Sequence, residues 1–312
     1  MEYKPKKNII HLRPDTVDYV YKSINLSKPG EMEDAIRMLR DWIAKQPHFK
    51  RKDFSDNFLR SSIIVAKGSV ENAKQKLDKL CTLRSLLPES FRCNNVKEDF
   101  AHVFQLMKPL ILPQLTEDHC RLITVKVYGA MESSHISDAL KYSVVLGDYM
   151  RQCDFVREYI CIFDLTDVNM TNVLTKLNLM DLRQAFTVYF EGHGLRFKGM
   201  YFITTSKLVD TLINLLKQVM KPKLIDRIKI MKSWDEVHDI IDKDILPVDF
   251  GGNERSEQEL HDDWLEELTN EDFQQYLRDI NSTGTDETCR PSYKFNEEYA
   301  GMPGTFKLLT VD

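Results

Sequence analysis

Apolar residues recur every three or four positions through EMEDAIRMLRDWIAKQP (31–47), placing Met32, Ile36, Leu39 and Ile43 on one face. That spacing predicts an amphipathic helix ending near Pro47. A second helical stretch runs from Asp53–Asp56 to about Lys67. Ser69 then reads as the N-cap of a third helix, with Val70, Ala73, Leu77 and Leu80 along one face and Pro88 closing it. The first hundred residues are expected to form a small helical unit. After Pro113 the period changes. RLITVKVYG (121–129), EYICIFDLTD (158–167), FKGMYFITT (197–205) and RIKIMKS (227–233) read as strands. Segments 136–153, 171–190, 207–220 and 234–241 read as the helices between and after them. Strands alternating with helices predict an α/β domain with a mainly parallel sheet.

Charge is distributed unevenly along this pattern. The whole chain of 312 residues carries a formal charge of −5, which argues against a polycation for nucleic acid. Residues 196–232 nevertheless hold nine Lys and Arg against two acids, Asp210 and Asp226. Residues 253–281 hold ten acids against Arg255 and Arg278, with helical apolar spacing through Leu260, Trp264, Leu268, Phe273 and Leu277. An acidic surface helix pair is expected there, followed by a polar, turn-rich linker over 281–294. No run of about 18 apolar residues suggests a transmembrane helix. The N-terminus has no apolar stretch of the kind a secretory signal needs. The six cysteines (81, 93, 120, 153, 161, 289) never approach CxxC spacing, so reduced thiols in a cytosolic protein are expected.

Catalytic signatures are sparse. There is no nucleophile elbow and no phosphate-binding P-loop. Gly192-His-Gly194-Leu-Arg-Phe-Lys-Gly199 precedes a strand, whereas a dinucleotide loop follows one. The eight histidines are scattered, and no metal or cofactor is expected. Asp164 and Asp167 sit at a strand's carboxyl end, where an α/β enzyme would place a catalytic acid; a carboxylate capping the next turn has the same signature. The very apolar strands and helices of this domain allow either an ordinary packed core or a cavity for an apolar molecule. Periodicity does not separate the two.

Several stretches resemble the CRAL-TRIO lipid-binding family, the family of cellular retinaldehyde-binding protein and alpha-tocopherol transfer protein. LRDWIAKQPHF (39–49), DNFLR (56–60), a helix with Glu71 and Ala73, and LRSLLPESF (83–91) are similar to its N-terminal helical module. EYICIFDLTDV (158–168) resembles its central strand. GLRFKGMYFIT (194–204) with LLKQVMKPKLIDRIKI (215–230) resembles its following strand–helix–strand region, and ILPVDFGGN (245–253) its closing motif. The tail AGMPGTFKLLTVD (300–312) is similar to the ending of insect-type members.

The resemblance implies an N-terminal helical module followed by a mainly parallel sheet, with helices enclosing an apolar cavity. On that basis the chain divides into an N-terminal arm (1–29), the helical module (30–112), a lipid-binding domain with acidic C-terminal helices (113–281) and a tail (282–312). The implied activity is binding and transfer of a small hydrophobic ligand without breaking a bond: an isoprenoid such as a retinoid, tocopherol, carotenoid or juvenile-hormone-like molecule. Candidate ligand-facing residues are Tyr142, Val145, Phe163, Val188, His193, Met200 and Phe202. Leu208 and Leu212 are expected on a gate helix at about 207–220. His193 would hydrogen-bond a polar group of the ligand, or else lie on the loop surface. Arg196, Lys198, Lys223 and Arg227 match positions that bind phosphoinositide headgroups in responsive members, and Lys217 and Lys221 add to the same stripe. Ile64 stands where a further phosphate-binding Arg is expected, so docking should follow bilayer charge in general. The expected setting is cytoplasmic with transient membrane association. Competing readings are a protein-interaction module with a filled core, a phosphoinositide-dependent phospholipid transfer protein, and an enzyme acting through Asp164 or His193. The alternative for the stripe is neutralisation in the folded protein by the acidic helices at 253–281.

Overall fold

A computed structural model describes residues 1–290; the tail motif at 300–312 lies outside the described residues. Five strands form one sheet: β1 (Met107–Leu115), β2 (Arg121–Val127), β3 (Tyr159–Asp164), β4 (Phe197–Ile203) and β5 (Ile228–Met231). Their spatial order is their order along the chain. β1 pairs antiparallel with β2, and every later pair is parallel. Parallel crossovers share one hand, so a sheet in sequential order receives all its crossover helices on one face. Helix Ser133–Cys153, the pair Met170–Lys176 and Leu179–Phe186, and helix Val209–Leu216 are those crossovers.

The four strands expected from period-2 alternation are all present. β1 is an addition, and it lies across the boundary expected at residues 112/113. Its sequence, MKPLILPQL, carries two prolines. An edge strand tolerates them because one side of its backbone has no partner to bond. The helical module forms as expected, with helices Glu31–Ala44, Asp56–Val65 and Val70–Leu86. Ser69 caps the third of these, its Oγ accepting the Asn72 N–H at 3.2 Å. The single helix expected over 171–190 is broken. Asn178 caps a new start by accepting the Met180 N–H at 2.8 Å, and the segment ends in a π-helix, Thr187–Gly192.

Both chain ends of the described region are tied down. Buried Glu267, on helix Glu257–Thr269, accepts the Tyr3 hydroxyl and the Lys7 N–H. At the other end, the Lys50 N–H donates to the Gly284 carbonyl at 3.0 Å, and Arg290 pairs with Asp78 at 2.7 Å. Residues 282–290 therefore strap the helical module rather than hang free.

Candidate functional site

Between the sheet and its crossover helices lies a cavity of about 250 Å³. Its floor follows from strand alternation. Pro109 and Ile111 on β1, Ile123 and Val125 on β2, and Cys161 and Phe163 on β3 all point the same way. On β4 the register against β3 slips by one residue, from Tyr159↔Phe197 to Ile160↔Gly199. Lys198 is the extra residue and is turned to solvent. The slip puts Phe197, Met200 and Phe202 together on the cavity face, although their spacing is three and then two. Phe163 and Phe202, register partners, stack with centroids 4.9 Å apart.

Helix Ser133–Cys153 forms the opposite wall. Its cavity face runs through Ile136, Leu140, Ser143, Gly147 and Met150. Ala139, Ser143 and Gly147 recur at four-residue spacing along that face, and small side chains there leave room for the cavity. Tyr189 and Phe190 of the π-helix and Leu212 and Leu216 of helix Val209–Leu216 complete it. Among the described residues, none that lines the cavity is Asp, Glu, Lys, Arg or His.

Of the nine residues expected to face a ligand, Phe163, Met200, Phe202 and Leu212 line this cavity. The other five lie elsewhere. Tyr142 is fully buried on another face of its helix, against Phe100 and Phe104. Val145, also buried, lies off the cavity face, and the π-helix presents Tyr189 and Phe190 to the cavity in place of Val188. Leu208 precedes helix Val209–Leu216, the expected gate, and is exposed. His193 is neither at the surface nor in the cavity. A Cβ on Gly147 would sit 2.8 Å from its Nδ1, so the imidazole packs behind the cavity wall.

There His193 belongs to a buried ionic layer. Its Nε2 meets Asp148 Oδ1 at 2.9 Å, and Arg84 pairs with the same carboxylate. Arg151 donates to the His193 carbonyl at 3.3 Å and to Ser62 Oγ at 2.6 Å. Burial pushes the His193 pKa below its ordinary value, against the pull of Asp148. Burial alone would raise the Asp148 carboxyl, but Arg84 and His193 hold it below the usual carboxylate range. The layer clamps the helical module to the cavity wall through charges that never reach the ligand space. Sequence reading missed it because Arg84 and Asp148 are 64 residues apart.

Asp164 is engaged as a turn cap. It accepts the Thr166 N–H at 3.0 Å, the Thr166 hydroxyl at 2.6 Å and the Trp234 indole at 2.8 Å. Lys126 bridges Asp164 and Asp167. Among the described residues no three His, Cys, Asp or Glu side chains converge as metal ligands.

The basic residues lie at the start of β4, after helix Val209–Leu216 and just before β5. Arg196 pairs with Glu158 at 2.7 Å, Lys198 with Asp118 at 2.7 Å, and Lys221 with Glu191 at 3.4 Å. Lys217 donates to Asn214 Oδ1 at 3.3 Å, and the Arg227 guanidinium donates to the Phe197 carbonyl. Lys223 is exposed. The acidic helices do not neutralise this stripe. Asp263 instead holds Lys7 and Arg255, Asp272 holds Lys6, and Asp279 holds Arg51. Two cations that sequence reading did not select join the stripe. Arg196, Arg157 and Lys223 lie close enough to Lys67 that their repulsion, led by Arg196 and added to burial, lowers the Lys67 pKa. Ile64, three residues earlier, is buried in the core. The cue in sequence was a Lys one helical turn past the position where an Arg was expected.

An α/β sheet with an apolar cavity closed by its own crossover helices defines a container for a water-insoluble molecule. Residues 107–252 match the family model described as CRAL/TRIO domain, and the chain carries a CRAL/TRIO domain over that span. Residues 28–100 match the model described as Pinta-like, UBA domain. A crystal structure of Sfh5 is similar at a TM-score of 0.48 and 10% identity, covering 87% of this chain and 99% of that one. CRAL/TRIO proteins are generally non-enzymatic lipid carriers, and the domain supports a role in binding and transferring lipid. Among the described residues no helix is long and apolar enough to cross a membrane.

Proposed function

We propose that this protein is a non-enzymatic carrier of one small hydrophobic ligand, an isoprenoid, which it exchanges with membranes. The observation that carries the reading is the cavity: about 250 Å³, lined without a single charged side chain. For scale, an engineered apolar cavity of about 150 Å³ stays dry and takes up benzene. A filled core, as an interaction module would have, leaves no such space. The Asp164 carboxylate is committed to Thr166 and Trp234, and His193 bonds Asp148 through Nε2 while its Nδ1 faces Gly147 behind the cavity wall, which favours a carrier over an enzyme.

Exchange needs a route to the bilayer. Helix Val209–Leu216 keeps Leu212 and Leu216 inward, while Leu208 just before it is exposed. Exposed Lys217, Lys221 and Lys223 follow directly. An apolar helix flanked by cations suits shallow docking on anionic lipid. The convergence of Lys67, Arg157, Arg196 and Lys223 favours a headgroup of high negative charge, phosphoinositides included. Transfer of a fluorescent retinoid between vesicles tests both parts. Transfer should quicken with anionic lipid and slow with salt. Absence of transfer at any lipid composition would refute the carrier reading.

A further inference from the structure

We propose that the ligand is a hydrophobic alcohol whose hydroxyl donates to one of the two acceptor oxygens, Ser143 Oγ or Tyr189 Oη, in the cavity wall; this rests on the carrier reading above. Ser143 and Tyr189 both line the cavity. Each has already committed its proton. Ser143 Oγ donates to the Ala139 carbonyl at 2.9 Å, and the Tyr189 phenol donates to the Leu140 carbonyl at 2.7 Å. Those carbonyls are consecutive on one helix, so the two hydroxyls meet the same stretch of wall. They are neighbours: burial raises the Tyr189 pKa, and the Ser143 hydroxyl beside it opposes the rise. A hydroxyl has one proton but two lone pairs. With both protons spent on the helix backbone, the patch presents acceptors and no donor.

That asymmetry selects among ligand headgroups. An alcohol brings the donor the patch lacks. At this patch an aldehyde or ketone brings another acceptor and finds no donor. A carboxylate adds a charge, and none of the lining side chains is a cation to meet it. The remaining wall phenol, Tyr159, lies within electrostatic reach of Asp154, Arg121 and Arg151 and makes no hydrogen bond among the described residues. It is the alternative anchor.

A matched series on one skeleton decides the point: farnesene, farnesol, farnesal and farnesoate competing with the uncharged fluorophore N-phenyl-1-naphthylamine for the full chain. Farnesol should displace the probe at concentrations about tenfold below farnesal, the upper range of one neutral hydrogen bond. Farnesoate should be at least about a hundredfold weaker than farnesol. Ser143→Ala combined with Tyr189→Phe should bring farnesol down to the level of farnesene. Equal displacement by farnesol and farnesal, or preference for the acid, in the unmodified protein overturns the proposal without depending on any variant. So does loss of the alcohol preference in Tyr159→Phe with its retention in the double variant. Binding of probe and farnesene without alcohol preference leaves the carrier reading standing and removes only this inference. Failure of the probe and every farnesyl compound to bind removes both.

Discussion

Ala139→Leu should make the ligand-free protein more stable while making it a poorer carrier. Ala139 lines the cavity on helix Ser133–Cys153. At roughly 24 cal/mol per Å³ of empty space, a void of about 250 Å³ withholds about 6 kcal/mol of packing energy from the ligand-free protein. Leucine adds three carbons at that wall. At about 0.8 kcal/mol per buried methylene it should recover about 2 kcal/mol. The same substitution in an already filled core would cost about 1–3 kcal/mol through displaced rotamers. The two cases thus differ in sign, which no uncertainty in either coefficient removes. Urea unfolding of delipidated protein gives the stability change, and displacement of an apolar fluorophore gives the binding change. The expected pair is a gain of about 2 kcal/mol with affinity down at least about tenfold, since the added side chain occupies ligand space. A loss of stability with unchanged probe binding would refute the cavity.

Asp148→Ala should destabilise by about 3–5 kcal/mol in the same unfolding assay, because Arg84 keeps its buried charge with the neutral Asn281 side chain and the Phe91 ring in place of a carboxylate; a cost under about 1 kcal/mol would mean that the ionic layer does not clamp the module. His261 is pushed down to about 4, by burial first and by Lys108 second. The unfolded chain therefore binds a proton that the folded one refuses, so stability is full above about pH 6.5 and falls as pH drops towards about 4. Replacing His261 with Phe should remove up to about 3 kcal/mol of that fall, read as the difference between unfolding at pH 7.5 and pH 4; an unchanged pH slope would contradict it. Lys221→Glu with Lys223→Glu should weaken co-sedimentation with anionic vesicles and flatten its salt dependence, at about 1 kcal/mol per cation lost from the surface. Binding that ignores both the reversal and the salt would show that this stripe faces away from the bilayer.

The sheet was legible because four of its strands alternate or run apolar between turn signals; Phe163, Met200 and Phe202 came from the family resemblance, and they share the cavity face in the fold. β1 was hidden by Pro109 and Pro113, which only its edge position permits. The helical wall was less readable for a different reason. Helix Ser133–Cys153 is buried on several sides, with Tyr142 against Phe100 and Tyr149 against Trp264, so apolar spacing did not single out the cavity face. The informative signal was small size, at Ala139, Ser143 and Gly147, not hydrophobicity. His193 drew attention because the resemblance implies a ligand-facing position there. Its partner Asp148 lies 45 residues away, and only the fold brings them together.

Native mass spectrometry of the purified full chain, paired with organic extraction of the same sample, tests the central claim most directly. One equivalent of an uncharged, extractable hydrophobic molecule should co-purify, and delipidated protein should take up one equivalent of an apolar probe in its place. Protein that carries nothing, and that binds no apolar probe after extraction, would contradict the carrier.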